Sequence, residues 1–266
     1  MKLCFSTLGC TEWGLEEILT TAARYDIHAL EIRGMNGLMD NRQIPALTAD
    51  RENATRALFE KFRVTPQVLG TSCAFHDPQK WDGAIEEGKA SIDIAERFHI
   101  PYIRVFGNRL TGESADERQQ CYDLVARGIA ELCRYAADTS VTVLLEVHGD
   151  YNCIETMGAV TARLKDYPNF GLIWDIAHTS AYGEGWEKFY CTFRSLIRHI
   201  HIKDQQNSPK KLTLPGEGEL PISAIVERLL ADRFEGYFSL EWEKKWHPEL
   251  PDLPIALDAF VRLLRQ

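Results

Sequence analysis

The sequence predicts an α/β protein, a (β/α)8 TIM barrel formed by a single domain over residues 1–266. Short apolar runs alternate with helix-period segments along the whole chain, and eight of each are found. The length also suits a barrel that folds as one domain. An open doubly wound sheet is the competing layout, but it usually has fewer strands, and no G-x-G-x-x-G follows the first run.

Lys2 to Leu8 is the first expected strand, followed by a helix whose apolar face is Leu15, Ile18, Leu19 and Ala22. Ala29 to Arg33 is the second, and its helix carries Ala54, Ala57, Leu58 and Phe62. Thr65 to Gly70 leads to Trp81, Ala84, Ile85, Gly88, Ile92 and Ala95, and Tyr102 to Phe106 leads to the longest helix. That helix opens on Ser114-x-x-Glu117, a capping box in which each side chain satisfies a backbone donor of the first turn. Thr142 to Val147 precedes Met157, Val160 and Leu164; Gly171 to Asp175 precedes Trp186, Phe189, Tyr190 and Phe193. Arg198 to Lys203 and Tyr237 to Trp242 complete the set, with helices marked by Ile225, Val226, Leu229 and Leu230, and by Leu257, Phe260, Val261 and Leu264. Two connections are long, Gly34 to Thr48 and Gln205 to Leu220. Both are βα loops, which in a barrel form the catalytic mouth.

Hydrophobic residues make up 45% and charged residues 26%, as in ordinary soluble globular proteins. The net charge of −9 repels nucleic acid and acidic membrane surfaces, so neither is an expected partner. Seven scattered cysteines without a C-x-x-C pair fit small apolar fillers in a reducing compartment. MKLCFSTLGC reads as a strand rather than a leader, and no run reaches the roughly 20 apolar residues of a membrane span. The expected location is cytoplasmic, and a homo-oligomer is compatible with the composition.

Strands of a parallel barrel are buried on both faces and should be apolar throughout. Four consecutive ones break at their C-terminal ends: LLEVHG at Glu146, GLIWDIAH at Asp175, RHIHIKD at His201 and YFSLEWE at Glu241. Buried carboxylates are costly unless paired, and three together repel one another; a divalent cation answers both costs. Three carboxylates and one imidazole favour Mn²⁺, Mg²⁺ or Co²⁺ over a closed tetrahedral Zn²⁺ site. A second tier follows, with His148, His178, Lys203 and Glu243 lying two or three residues beyond the four ligands. Lys203 is placed to stabilise an oxyanion, and His178 to hold a substrate hydroxyl or carry a proton. Arg104, inside the fourth strand, either pairs with Glu31 or Glu146 or reaches the substrate. Trp242 stands beside a ligand in a mouth loop, and His199 is the lower residue of the His199, His201, Lys203 face, packed or supporting the site.

Together these four breaks resemble the xylose isomerase-like barrel superfamily, in its sugar phosphate isomerase/epimerase branch, as does the LPGEGELP loop from Leu214 to Pro221. The resemblance implies that Glu146, Asp175, His201 and Glu241 bind one divalent metal and that His178 lies near substrate. The activity it implies is isomerisation or epimerisation of a small sugar, sugar phosphate or hydroxycarbonyl compound. Glu146 and Glu241 would serve as acid and base through a metal-stabilised ene-diolate, with His178 and Lys203 assisting and His148, Arg104, Glu243 and Trp242 at the substrate. A lyase or dehydratase of a sugar or inosose is the alternative at the same site, and a non-catalytic sugar-binding barrel is a further one. The endonuclease IV branch needs extra histidines at the ends of strands three and four and a D-x-H after strand seven; here strand four ends in Phe106, Gly107 and Asn108, and no D-x-H follows His201. The ketose 3-epimerases carry a glutamate and an arginine where this chain has Asn152 and Asn207, which separates it from their mode of gripping substrate but not from the metal site.

Overall fold

The structure, a computed structural model, describes residues 1–180, 183 and 185–265. Its strands are β1 (Leu3–Ser6), β2 (Ala29–Ile32), β3 (Thr65–Ala74), β4 (Tyr102–Phe106), β5 (Thr142–Glu146), β6 (Phe170–Asp175), β7 (Ile197–Ile202), β8 (Asp204–Asn207), β9 (Lys210–Thr213) and β10 (Tyr237–Leu240). Eight of them form a closed parallel barrel in the order β1-β10-β7-β6-β5-β4-β3-β2, while β8 and β9 pair as a separate antiparallel hairpin. The helices are α1 (Leu15–Arg24), α2 (Glu52–Phe62), α3 (Trp81–Arg97), α4 (Ala115–Tyr135), α5 (Ile154–Arg163), α6 (Ile176–Ser180), α7 (Trp186–Phe193), α8 (Ile222–Ala231) and α9 (Leu253–Leu264). The expected strands and helices are all present. β3 runs on to Ala74, past an irregularity in its pairing with β4.

The chain packs as two compact units. The first comprises Met1–Gln67 and His199–Gln266. Here β1 pairs with β2 and with β10, and β10 pairs with β7 in a register that sets Ser239 beside His201. α9 buries Leu257 and Phe260 completely, each contributing about 1.5–3 kcal/mol. Tyr25 at the end of α1 donates to Pro254 O at 2.8 Å and ties the two helices together.

The second unit is Val68–Arg198. β3 to β6 run in parallel register, with Val68, Leu144 and Ile173 packed as an apolar floor. The capping box of α4 forms as expected: Ser114 Oγ accepts from Glu117 N at 3.2 Å, and Glu117 Oε2 accepts from Ser114 N at 2.9 Å. Gly88 of α3 faces Leu132 of α4 so closely that a Cβ would lie 2.6 Å from Leu132 Cδ1. Glycine here permits the helices to approach.

Cys191 is exposed and the other cysteines are buried and unbridged. Burial pushes the thiols of Cys73 and Cys133 up to about 12, so they are inert fillers as expected. Among the described residues no helix is long and apolar enough to cross a membrane.

Candidate active site

In the second unit, β5 ends on Glu146 and β6 on Asp175, both at most 1% exposed, each offering a carboxylate oxygen within 4.8 Å of the other. Arg104 of β4 resolves its two alternatives by pairing: its guanidinium donates to Glu146 Oε2 at 2.5 Å and to Thr71 O at 3.1 Å. The pair is almost fully buried, so the cation offsets the desolvation of the carboxylate it touches. Asp175 Oδ1 accepts from the backbone amides of Ala177 (2.9 Å) and His178 (3.2 Å). That cap starts α6 at once, so His178 does not continue along the strand as the sequence spacing implied. The turn instead folds it back, with Nε2 3.9 Å from Asp175 Oδ2 and its ring 4.3 Å from that of His148. His148 packs on Phe106 at 5.0 Å, and its Nδ1 is buried without a hydrogen-bond partner among the described residues.

In the first unit the centre is Glu31, completely buried on β2. Its Oε2 accepts from His199 Nε2 (3.1 Å), His201 Nε2 (2.9 Å) and Ser239 Oγ (3.2 Å). Burial pushes the Glu31 carboxyl up, but the His201 charge and the bonds from both imidazoles outweigh it and hold the group below the usual carboxylate range. Burial conversely depresses His199, against the opposing pull of Glu31, and favours the neutral ring. With Nε2 of His201 committed to Glu31, its Nδ1 faces Glu241 Oε2 at 3.4 Å. Lys203, 3% exposed, donates to Glu241 Oε2 at 2.8 Å and also bonds Glu243. Trp242 is buried and donates from Nε1 to Pro251 O at 2.8 Å, so its ring braces the loop after β10.

Asp204, the last residue of RHIHIKD, closes the long loop that follows. Its carboxylate accepts from the amides of Gln205 (2.9 Å), Gly216 (2.9 Å), Gly218 (3.0 Å) and Leu220 (3.2 Å). A Cβ at Gly218 would lie 2.2 Å from Asp204 Oδ1, which explains a glycine in PGEGEL. Hydrogen bonds to a charged acceptor contribute about 1.5–3 kcal/mol each. Asp204→Ala is therefore expected to cost at least about 3 kcal/mol and to open residues 205–219 to limited proteolysis.

Glu31 and Asp204 are the residues the sequence reading undervalued. Glu31 considered only as a partner for Arg104 was the available signal: a carboxylate in the middle of the buried run ALEI breaks the apolar rule as plainly as Glu146 does.

The chain belongs to the xylose isomerase-like TIM barrel family, whose profile matches residues 19–262. It is 25% identical to fructoselysine 3-epimerase of Shigella flexneri over 256 residues, which cover 91% of this chain and 90% of that protein. Among solved structures it is similar to the probable 3-DHS dehydratase AsbF of Bacillus anthracis, with a TM-score of 0.82 at 16% identity over 100% of this chain and 99% of that one. It is also similar to the IOLI protein with a binding zinc atom, with a TM-score of 0.78 at 21% identity over 99% of this chain and 96% of that one. At these identities the structural likenesses concern the fold.

Proposed function

We propose that the protein is a divalent-metal-dependent epimerase or isomerase of a small sugar, sugar phosphate or sugar adduct. The observation that carries this reading is the state of His201: Glu31 takes its Nε2, leaving Nδ1 beside the Glu241 carboxylate. A ligating histidine whose other nitrogen donates to a carboxylate is a recurrent arrangement at metal centres. In the proposed centre, Glu146, Asp175, His201 and Glu241, all buried, hold one cation. Their oxygen-rich chemistry suits Mn²⁺, Mg²⁺ or Co²⁺ ahead of Zn²⁺. The cation, when bound, supplies Lewis-acid polarisation of a carbonyl and its neighbouring hydroxyl.

The remaining work falls to the chain. Glu241 removes the proton from the hydroxyl-bearing carbon next to the carbonyl, with Lys203 fixing its orientation. Glu146, pinned by Arg104, carries the proton on the other side. Return of a proton by the second group inverts the carbon, whereas return by the first to the neighbouring carbon isomerises the sugar. His148 and His178 hold substrate hydroxyls. The 25% identity to fructoselysine 3-epimerase supports the epimerase form.

Dehydration is the second reading, favoured by one observation: the half-buried His178, its ring tilted against that of His148, can donate a proton to a leaving hydroxyl. The same opening step, followed by loss of that hydroxyl, gives an enone.

The test is to measure metal content, strip the protein with chelator, and follow ketoses, their phosphates, a fructose–lysine adduct and inososes in D₂O by NMR. Metal-loaded protein should place deuterium next to the carbonyl in an epimer or isomer, and stripped protein should lose at least about 100-fold in rate, the lower end of what removing one group that stabilises developing charge costs. An enone product selects the dehydratase. Full activity after stripping refutes the metal-dependent mechanism.

A further inference from the structure

A cavity lies wholly within the first unit, formed by the segment after β1 and the segment after β10. Its volume is about 420 Å³, within the range of small-molecule sites. Leu8, Cys10 and Leu253, all buried, give it an apolar floor, and Trp13 stands at its wall. Its rim carries Glu12, Lys244, Lys245 and Asp252. The position matters because the rim lysines closely follow the proposed base in the chain: Glu241, Trp242, Glu243, Lys244 and Lys245 are consecutive residues.

We propose that this cavity is a subsite for a zwitterionic α-amino acid group, carried by the substrate on an aliphatic chain away from its reacting carbons. The inference rests on the sugar epimerase reading for the identity of the other half of the substrate, and the cavity's own chemistry supplies the rest. The rim holds two cations and two anions, matched in pairs: Lys245 Nζ lies 3.2 Å from Glu12 Oε1, and Lys244 Nζ lies 3.1 Å from Asp252 Oδ1. A phosphate entering here would meet a carboxylate beside every lysine, so the rim disfavours the anion that clustered lysines otherwise suggest. A group bearing both an ammonium and a carboxylate instead replaces a pair charge for charge.

The exchange is cheap at one pair and not at the other. Glu12 is 73% exposed, and such surface pairs are weak because water screens them. Lys244 is committed elsewhere, donating to Leu250 O at 2.6 Å and holding the loop together. Recognition therefore falls to Lys245, which takes the ligand carboxylate, and Glu12, which takes its ammonium. The aliphatic chain lies over Leu8, Cys10 and Leu253, against the Trp13 indole, where its methylenes leave water for an apolar surface.

Binding alone can decide the matter. Nε-acetyl-lysine is titrated into the intact wild-type protein by calorimetry, alongside its Nα-acetyl derivative, its carboxamide and inorganic phosphate. The zwitterion is expected to bind saturably, each blocked form at least about tenfold more weakly, and phosphate not to compete. Lys245→Ala and Glu12→Gln should each weaken the zwitterion about tenfold; Glu12 is largely exposed, whereas the Lys245 stem is mostly buried, so the melting temperature of Lys245→Ala is measured beside its binding. No binding of the zwitterion, unchanged binding in both variants, or preferential binding of phosphate overturns the proposal. In turnover, the kcat/KM ratio of the fructose–lysine adduct to an unsubstituted ketose should fall about tenfold in Lys245→Ala. If the amino acid binds through Lys245 and Glu12 while no sugar is turned over, the epimerase reading fails and the subsite stands; if ketoses react and the amino acid does not bind, the reverse holds.

Discussion

Glu241→Gln is expected to lower kcat by about 10²–10⁴, the usual contribution of a positioned proton carrier. The amide has the shape of the carboxylate but cannot accept the substrate proton. It also replaces a charged metal ligand by a neutral one, so the rates must be compared across a metal titration up to saturation. A deficit that persists at saturating metal belongs to proton transfer, and one that disappears belongs to metal affinity. Lys203 keeps Glu243 as a partner in the variant, so no buried charge is stranded and the fold should survive. Glu243→Gln is the matched control, because it removes the other partner of Lys203 while leaving the proposed base intact. Its rate should fall far less. Wild-type turnover in Glu241→Gln at saturating metal would remove Glu241 from the mechanism.

The legible part of this protein follows from one rule, that parallel barrel strands are buried on both faces. The rule makes the strands visible as apolar runs and makes each ionisable residue within them conspicuous, which is how Glu146, Asp175, His201 and Glu241 could be read from LLEVHG, IWDIAH, HIHIKD and SLEWE. The rule says nothing about residues beyond a strand end. Three residues past Asp175, His178 is not carried further along the strand: the Asp175 carboxylate caps a helical turn and folds the imidazole back. The hairpin of β8 and β9 lies in the segment expected as a long loop, because its aspartate, asparagine and lysines are residues that sheets tend to exclude, and the turn Ser208–Pro209 separates the two strands. Asp204 illustrates a third kind of illegibility: its partners are four backbone amides up to sixteen residues ahead, and backbone amides leave no trace in a sequence. Arg104 was legible as an anomaly but not in its choice of partner, which the register of β4 with β5 decides by setting Phe106 opposite Glu146.

Glu31→Gln is expected to raise the metal dissociation constant about 10–100-fold, the range for partners that orient ligating histidines. A neutral imidazole carries one N–H, and the nitrogen that holds it cannot bind a cation. Glu31 lies 2.9 Å from His201 Nε2, so when a cation displaces the hydrogen from Nδ1, beside Glu241, the Glu31 charge holds the remaining hydrogen on Nε2. Glutamine keeps an acceptor oxygen for the three donors that converge on Oε2 but loses the charge, and its NH₂ takes the place of Oε1, which has no hydrogen-bond partner among the described residues. Stability should fall as well, toward the 3–5 kcal/mol known for one-sided removal of a buried charge. A purely structural role would predict that stability loss alone, so His199→Asn provides the contrast: it breaks a bond to the same carboxylate without touching the His201 tautomer. Calorimetric titration of Mn²⁺ into the folded, metal-stripped variants separates the two. Glu31→Gln should lose affinity well beyond His199→Asn at comparable loss of stability, and equal metal affinity in both would reduce Glu31 to a packing residue of the barrel interior.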